Sequence, residues 1–126
     1  VLVLAPTREL AVQVGRTFTD LARFGPWPLS VLAVIGGASV DDQIAALAAG
    51  VHVVVATPGR LLDLMARGVI DLSRLKTLVL DEADRLLDAH FIEELFSLGI
   101  IFLDAGRFSD PFDRSLQMAT STRYWF

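Results

Sequence analysis

Four apolar runs, each cut off by a polar or glycine-rich motif, limit the folds open to this chain more than any other feature. Val1-Leu2-Val3-Leu4-Ala5 passes into Pro6-Thr7-Arg8-Glu9-Leu10, and Val31-Leu32-Ala33-Val34-Ile35 into Gly36-Gly37. Val51-His52-Val53-Val54-Val55-Ala56 passes into Thr57-Pro58-Gly59-Arg60, and Thr77-Leu78-Val79-Leu80 into Asp81-Glu82-Ala83-Asp84. Strands covered on both faces, as in a parallel sheet, read as continuous apolar runs, whereas a strand with one wet face alternates. Ligands of open α/β sheets bind beyond the carboxyl ends of the strands. The pattern therefore predicts a parallel sheet that delivers all four motifs to one rim.

The segments between the runs carry helical spacing, which supplies the crossovers a parallel sheet requires. The first helix is expected from about Thr7 to Arg23, with Leu10, Val14, Phe18 and Leu21 on a face that packs against the sheet. The second begins after Ser39, a good N-cap, places Asp41 and Asp42 where the helix dipole favours them, and stops at Gly50. A third is expected from about Gly59 to Gly68. A fourth follows the acidic tetrapeptide through Leu86 and Leu87 toward Phe91, Ile92 and Leu95. Pro26-Trp27-Pro28 reads as a turn.

Composition narrows the functional classes. A chain of 126 residues, 53% of them hydrophobic, is one domain at most, large enough for a core, and not a disordered linker. No apolar run approaches the length of a membrane span, and the first residues lack the basic region and cleavage site of a secretion signal. Cysteine is absent and the two histidines are isolated, which excludes disulfides and argues against a zinc site. A reducing, cytoplasmic compartment is expected. The net charge of −4 argues against a broad electrostatic grip on nucleic acid, so any such binding must be local. Helix N-termini at the shared rim, supplemented by Arg8 and Arg60, offer that local site for phosphates.

Taken singly, each motif also has an ordinary reading. An Asp-Glu pair suits a helix start, Thr-Pro-Gly makes a plain strand-to-helix turn, and most surface arginines bind nothing in particular. His52 reads as a packed or edge residue and His90 as a surface one, while Phe91 and Phe96 read as core. Joint occurrence is what separates the motifs from these readings.

Together, and in this order, the motifs resemble those of the DEAD-box ATP-dependent RNA helicases of superfamily 2. Pro6-Thr7-Arg8-Glu9-Leu10-Ala11 looks like the family's first RNA-contacting motif, Gly36-Gly37 like its glycine doublet, and Thr57-Pro58-Gly59-Arg60 like the next RNA motif. Asp81-Glu82-Ala83-Asp84 looks like its Walker B motif. The flanks Leu61-Leu62-Asp63 and Arg85-Leu86-Leu87-Asp88 are similar to bacterial members, an RhlE-like subgroup among them.

The resemblance implies an α/β, RecA-like fold of the P-loop NTPase type, present as an incomplete parallel sheet with crossover helices. It implies ATP and Mg2+ as cofactors, with Asp81 holding the metal through a water and Glu82 orienting and deprotonating the attacking water. Asp84 would couple the nucleotide site to the next motif. Pro6, Thr7, Arg8, Gly36, Gly37, Thr57, Pro58, Gly59 and Arg60 would hold single-stranded or duplex RNA by its phosphate-ribose backbone. A second RecA-like domain is the implied protein partner, and no membrane is involved.

Departures from the family pattern shape the remaining expectations. The chain contains no Gly-x-x-x-x-Gly-Lys-Thr/Ser sequence, so residues 1–98 are read as a partial RecA-like domain lacking the P-loop strand, inactive in ATP hydrolysis on their own. Similarity is lost beyond about Leu98, and residues 99–126 are read as a divergent or frame-shifted tail. If the frame slipped, the source nucleotide sequence read in another frame contains a Ser-Ala-Thr strand. Met118-Ala119-Thr120 is a poor substitute for that strand because the lead-in Arg114-Ser115-Leu116-Gln117 is polar. Two other readings accompany the helicase one: a non-catalytic RNA-binding module and an inert truncated product.

Overall fold

In a computed structural model, described for residues 1–86 and 117–120, the chain forms an α/β sandwich around one parallel sheet. The elements follow in the order β1 (Leu2–Leu4), α1 (Arg8–Ala22), β2 (Val31–Val34), α2 (Val40–Ala49), β3 (Val53–Ala56) and α3 (Pro58–Ala66). They end with β4 (Thr77–Leu80), α4 (Ala83–Leu86) and β5 (Gln117–Thr120). The strands lie side by side as β2-β3-β1-β4-β5, and every pairing is parallel.

Side-chain alternation along the strands divides the core into two halves. Leu2, Leu4, Val34, Ala56, Leu78 and Leu80 point to the face covered by Ile44 and Leu47 of α2 and by Leu61 and Leu64 of α3. Val3, Ala5, Val53 and Val55 point to the other face, where Ala11, Leu10, Val14 and Phe18 of α1 pack. Helices on both faces explain why the runs are apolar throughout.

The helix signals act as their chemistry dictates. Thr7 caps α1, its Oγ1 accepting from the Leu10 amide at 3.2 Å, and Ser39 caps α2, its Oγ accepting from the Asp42 amide at 3.2 Å. Gly50 ends α2 with φ +91°, a conformation that a residue with a Cβ rarely adopts. Pro58 opens α3 where its missing N–H removes no helical bond.

Two expectations are corrected. Leu21 does not pack on the sheet and is 63% exposed; it lies at the flank of the α1 stripe, near the helix end, and the small residues Ala11 and Gly15 are buried instead. A strand also forms at Gln117–Thr120, in register with β4 from Thr77↔Gln117 to Leu80↔Thr120. Ladder pairing uses backbone groups, so a polar lead-in does not prevent a short strand from closing the edge of β4. Leu87, His90, Phe91, Ile92, Leu95, Phe96 and the remainder of the expected tail lie outside the described residues.

Candidate nucleic-acid and nucleotide rim

Register decides whether the four motifs form one site. Leu4 is paired with both Ala56 and Leu80, and Val34 with Ala56, so β1, β2, β3 and β4 end at one level. The ladder continues one residue further: Ala5 donates to the Ala56 carbonyl at 3.0 Å, Thr57 to Val34 at 3.0 Å, and Asp81 to Leu4 at 2.9 Å. Pro6-Thr7-Arg8, Gly36-Gly37, Thr57-Pro58-Gly59-Arg60 and Asp81-Glu82 therefore leave neighbouring strands at the same rim.

Three of these motifs also touch one another. The exposed Arg8 side chain lies over the glycine doublet: a Cβ on Gly37 would stand 2.7 Å from Arg8 Nη1, and one on Gly36 3.1 Å from Nη2. Gly37 adopts φ +82°, so both its backbone and its lack of a side chain are used. The glycines thus make room for the guanidinium of another motif, one that starts two strands away. Arg60 Nη1 donates to the Ala38 carbonyl at 3.3 Å and to Gln43 Oε1 at 3.1 Å, which ties the β3 motif to the loop after β2.

Gln43 was not among the residues that sequence reasoning selected. It is 4% exposed, and its Nε2 donates to the Ile35 carbonyl at 3.0 Å while its Oε1 accepts from Arg60. The available signal was its place on α2, one turn past the cap, where the helix turns toward the sheet and an apolar residue is the ordinary choice.

The acidic motif occupies the end of β4, next to β1. Glu82 has φ +49°, a left-handed conformation that costs a residue with a side chain and concentrates at functional sites. Its Oε2 accepts from Arg85 Nη1 at 2.9 Å, an exposed pair within the turn that opens α4. The Asp84 backbone lies in α4, and its side chain is outside the described part. Among the described residues no group of three or more His, Asp or Glu side chains converges on one point. A magnesium ion that arrives on nucleotide phosphates needs only one or two protein carboxylates, and Asp81 at the end of β4 would supply one.

The opposite rim is built differently. His52, exposed just before β3, accepts at Nδ1 from the Ser30 amide at 3.0 Å and pairs with Ser30 Oγ at 2.8 Å. This clasp joins the starts of two strands and leaves the histidine as an edge residue. No helix among the described residues is long and apolar enough to cross a membrane.

A parallel α/β domain with all its polar motifs on the carboxyl rim belongs to the broad class of sheet-edge binding proteins. Comparison with known proteins specifies it: a family model described as DEAD/DEAH box helicase matches residues 1–121, and the chain belongs to that family. It is 53% identical over 95 residues to the ATP-dependent RNA helicase DeaD of Escherichia coli strain K12, covering 75% of this chain and 15% of that protein. It is 50% identical over 95 residues to the DEAD-box ATP-dependent RNA helicase CshA of Streptococcus pneumoniae serotype 4, covering 75% of this chain and 18% of that one. Among solved structures, a hypothetical ATP-dependent RNA helicase from Sulfolobus tokodaii superposes with a TM-score of 0.72 at 35% identity, over 95% of this chain and 33% of that one. A DEAD box protein from Methanococcus jannaschii gives 0.71 at 32% identity, over 98% and 31%. The chain spans less than a fifth of the length of these curated relatives.

Proposed function

We propose that this chain is part of the core of a DEAD-box RNA helicase that couples ATP binding and hydrolysis to RNA binding and duplex unwinding. The observation that carries the reading is the common level at which β1, β2, β3 and β4 release their motifs. It supports the reading because three motifs proposed to bind a nucleic-acid backbone would then lie beside the acidic pair, and one sheet could handle both a strand and a nucleotide.

In this mechanism the RNA side uses geometry and not base identity. The amides that open α1 and α3 face a phosphate with the favourable ends of their dipoles, and Arg8 adds charge above the glycine doublet. A guanidinium carries five donors, so Arg60 can hold Ala38 and Gln43 through Nη1 and still offer N–H groups to a phosphate. Contacts of this kind do not read sequence.

On the nucleotide side, Asp81 would hold Mg2+ through a water, and the metal, when bound, neutralises charge on the ATP phosphates. Glu82, whose Oε2 accepts from Arg85 Nη1, would orient the attacking water and take its proton. Asp84 would pass the state of this site to the strand beyond, and a second RecA-like domain would complete the nucleotide site and the RNA groove.

Glu82→Gln in the full-length protein tests the assignment. It keeps the shape of the side chain and removes the base, so ATP turnover should fall by about a thousandfold or more while ATP and RNA affinities stay within about twofold. Turnover at the wild-type rate would remove the catalytic role. A second reading is an RNA-binding module without turnover, which would use the interlocked Arg8, glycine-doublet and Arg60 motifs and make no use of the acidic pair. RNA binding with no ATP hydrolysis in the wild-type protein would select it.

A further inference from the structure

We propose that Gln43 is a positioning residue that locks the Gly36–Gly37 loop and the Arg60 guanidinium into one rigid lip, so that RNA affinity depends on a side chain that never meets RNA. The consequence for RNA rests on the reading of the rim given above; the locking itself does not.

The geometry is a closed circuit. The loop after β2 is held at one end by Gln43 Nε2 on the Ile35 carbonyl at 3.0 Å, and at the other by Arg60 Nη1 on the Ala38 carbonyl at 3.3 Å. Gln43 Oε1 accepts from the same Nη1 at 3.1 Å and so closes the ring. Gly36 and Gly37 lie between the two anchored carbonyls, under Arg8. With both ends fixed, the doublet presents one backbone shape to a ligand.

The amide is matched to this task. A side chain that must donate to a carbonyl and accept from a guanidinium needs both functions at one tip, which glutamine has. Glutamate would keep the arginine and set a carboxylate against the Ile35 carbonyl; leucine would leave both groups without their partner. Gln43 is also the one buried polar side chain among the described residues, and burial of an amide is tolerated where both ends are satisfied, as here. It hangs from α2, whose own start is fixed by Ser39, so the circuit is anchored to the core and not to a mobile surface.

The test uses the full-length protein, a fluorescent single-stranded oligouridine and a non-hydrolysable ATP analogue. Gln43→Leu should weaken RNA binding by about tenfold, the scale of losing a hydrogen bond to a charged group, with nucleotide affinity unchanged within about twofold. Combined with Arg60→Ala it should add nothing further, because the two residues act through one circuit. Gln43→Glu should lie between wild type and Gln43→Leu, and serves as the working variant if the leucine protein does not fold. Hydrogen exchange at the Gly37 and Ala38 amides should quicken in either variant. Wild-type RNA affinity in the variants, or full additivity with Arg60→Ala, overturns the role in RNA binding. Unchanged exchange at Gly37 and Ala38 overturns the locking. If the wild-type protein binds no RNA, the reading of the rim fails, and exchange alone then decides whether Gln43 locks the loop.

Discussion

Gly37 and Gly36 look interchangeable as letters, but their physical demands differ. Gly37 has φ +82° and a Cβ there would meet Arg8 Nη1 at 2.7 Å, whereas Gly36 faces only a 3.1 Å approach to the flexible end of the same side chain. Gly37→Ala should therefore destabilise the domain by about 1–2 kcal/mol, and Gly36→Ala by less than about 0.5 kcal/mol, in denaturant titrations of the full-length protein. Equal effects would show that the left-handed backbone is not what the doublet supplies. The doublet itself was legible in the sequence. Its occupant was not, because Arg8 reaches it across β3 and sequence spacing says nothing of which side chain spans two strands. Gln43 escaped for a related reason: its two partners, Ile35 and Arg60, stand on different elements, and pattern reading ranks a lone polar residue on a helix as surface. Glu82 was selected by sequence, whereas its left-handed backbone and its bond to Arg85 emerge only in three dimensions.

At the level of elements, caps and periodicity carried most of the reading. Ser39, Gly50, Thr7 and Pro58 act where local chemistry places them, since a cap depends on residues within one turn. The face of α1 was less legible. Large apolar residues drew the stripe toward Leu21, but close packing of a helix on a sheet favours the small Ala11 and Gly15 at the centre, with Val14 and Phe18 beside them. β5 was missed because β-ladder pairing is decided by a distant partner, here β4, and not by its own four residues. The cap on α2 has a consequence beyond helix stability. Ser39→Ala removes the acceptor of the Asp42 amide and should cost about 1 kcal/mol, measured by thermal or denaturant melting. Because the same helix carries Gln43, RNA affinity should fall with it. A loss of stability with no change in RNA affinity would separate the helix from the lip.

Across the described residues the domain presents a polar rim where the strands end, and Leu21, Phe24, Trp27 and Leu29 are exposed around the turn into β2. Its net charge of −4 leaves no broad basic field, so in the proposed function phosphate binding would fall to Arg8, Arg60 and helix amides. The contribution of this domain to the salt dependence of single-strand binding should accordingly be shallow. Loss of Arg8 and Arg60 together should reduce the slope of log K against log salt by no more than about 1.4, the value for two phosphates on a single strand. A much larger change would mean that a basic surface outside the rim does the binding. If one lip of the parallel sheet takes the RNA strand, hydrogen exchange on the full-length protein with and without single-stranded RNA and a non-hydrolysable ATP analogue will register it. Protection should appear at residues 7–9, 36–38 and 59–60 and leave Ser30, Gly50 and His52 at the opposite rim unchanged. Protection at Ser30 and His52, with none over Gly36–Ala38, would put the strand on the opposite rim and rule out the lip as its binding site.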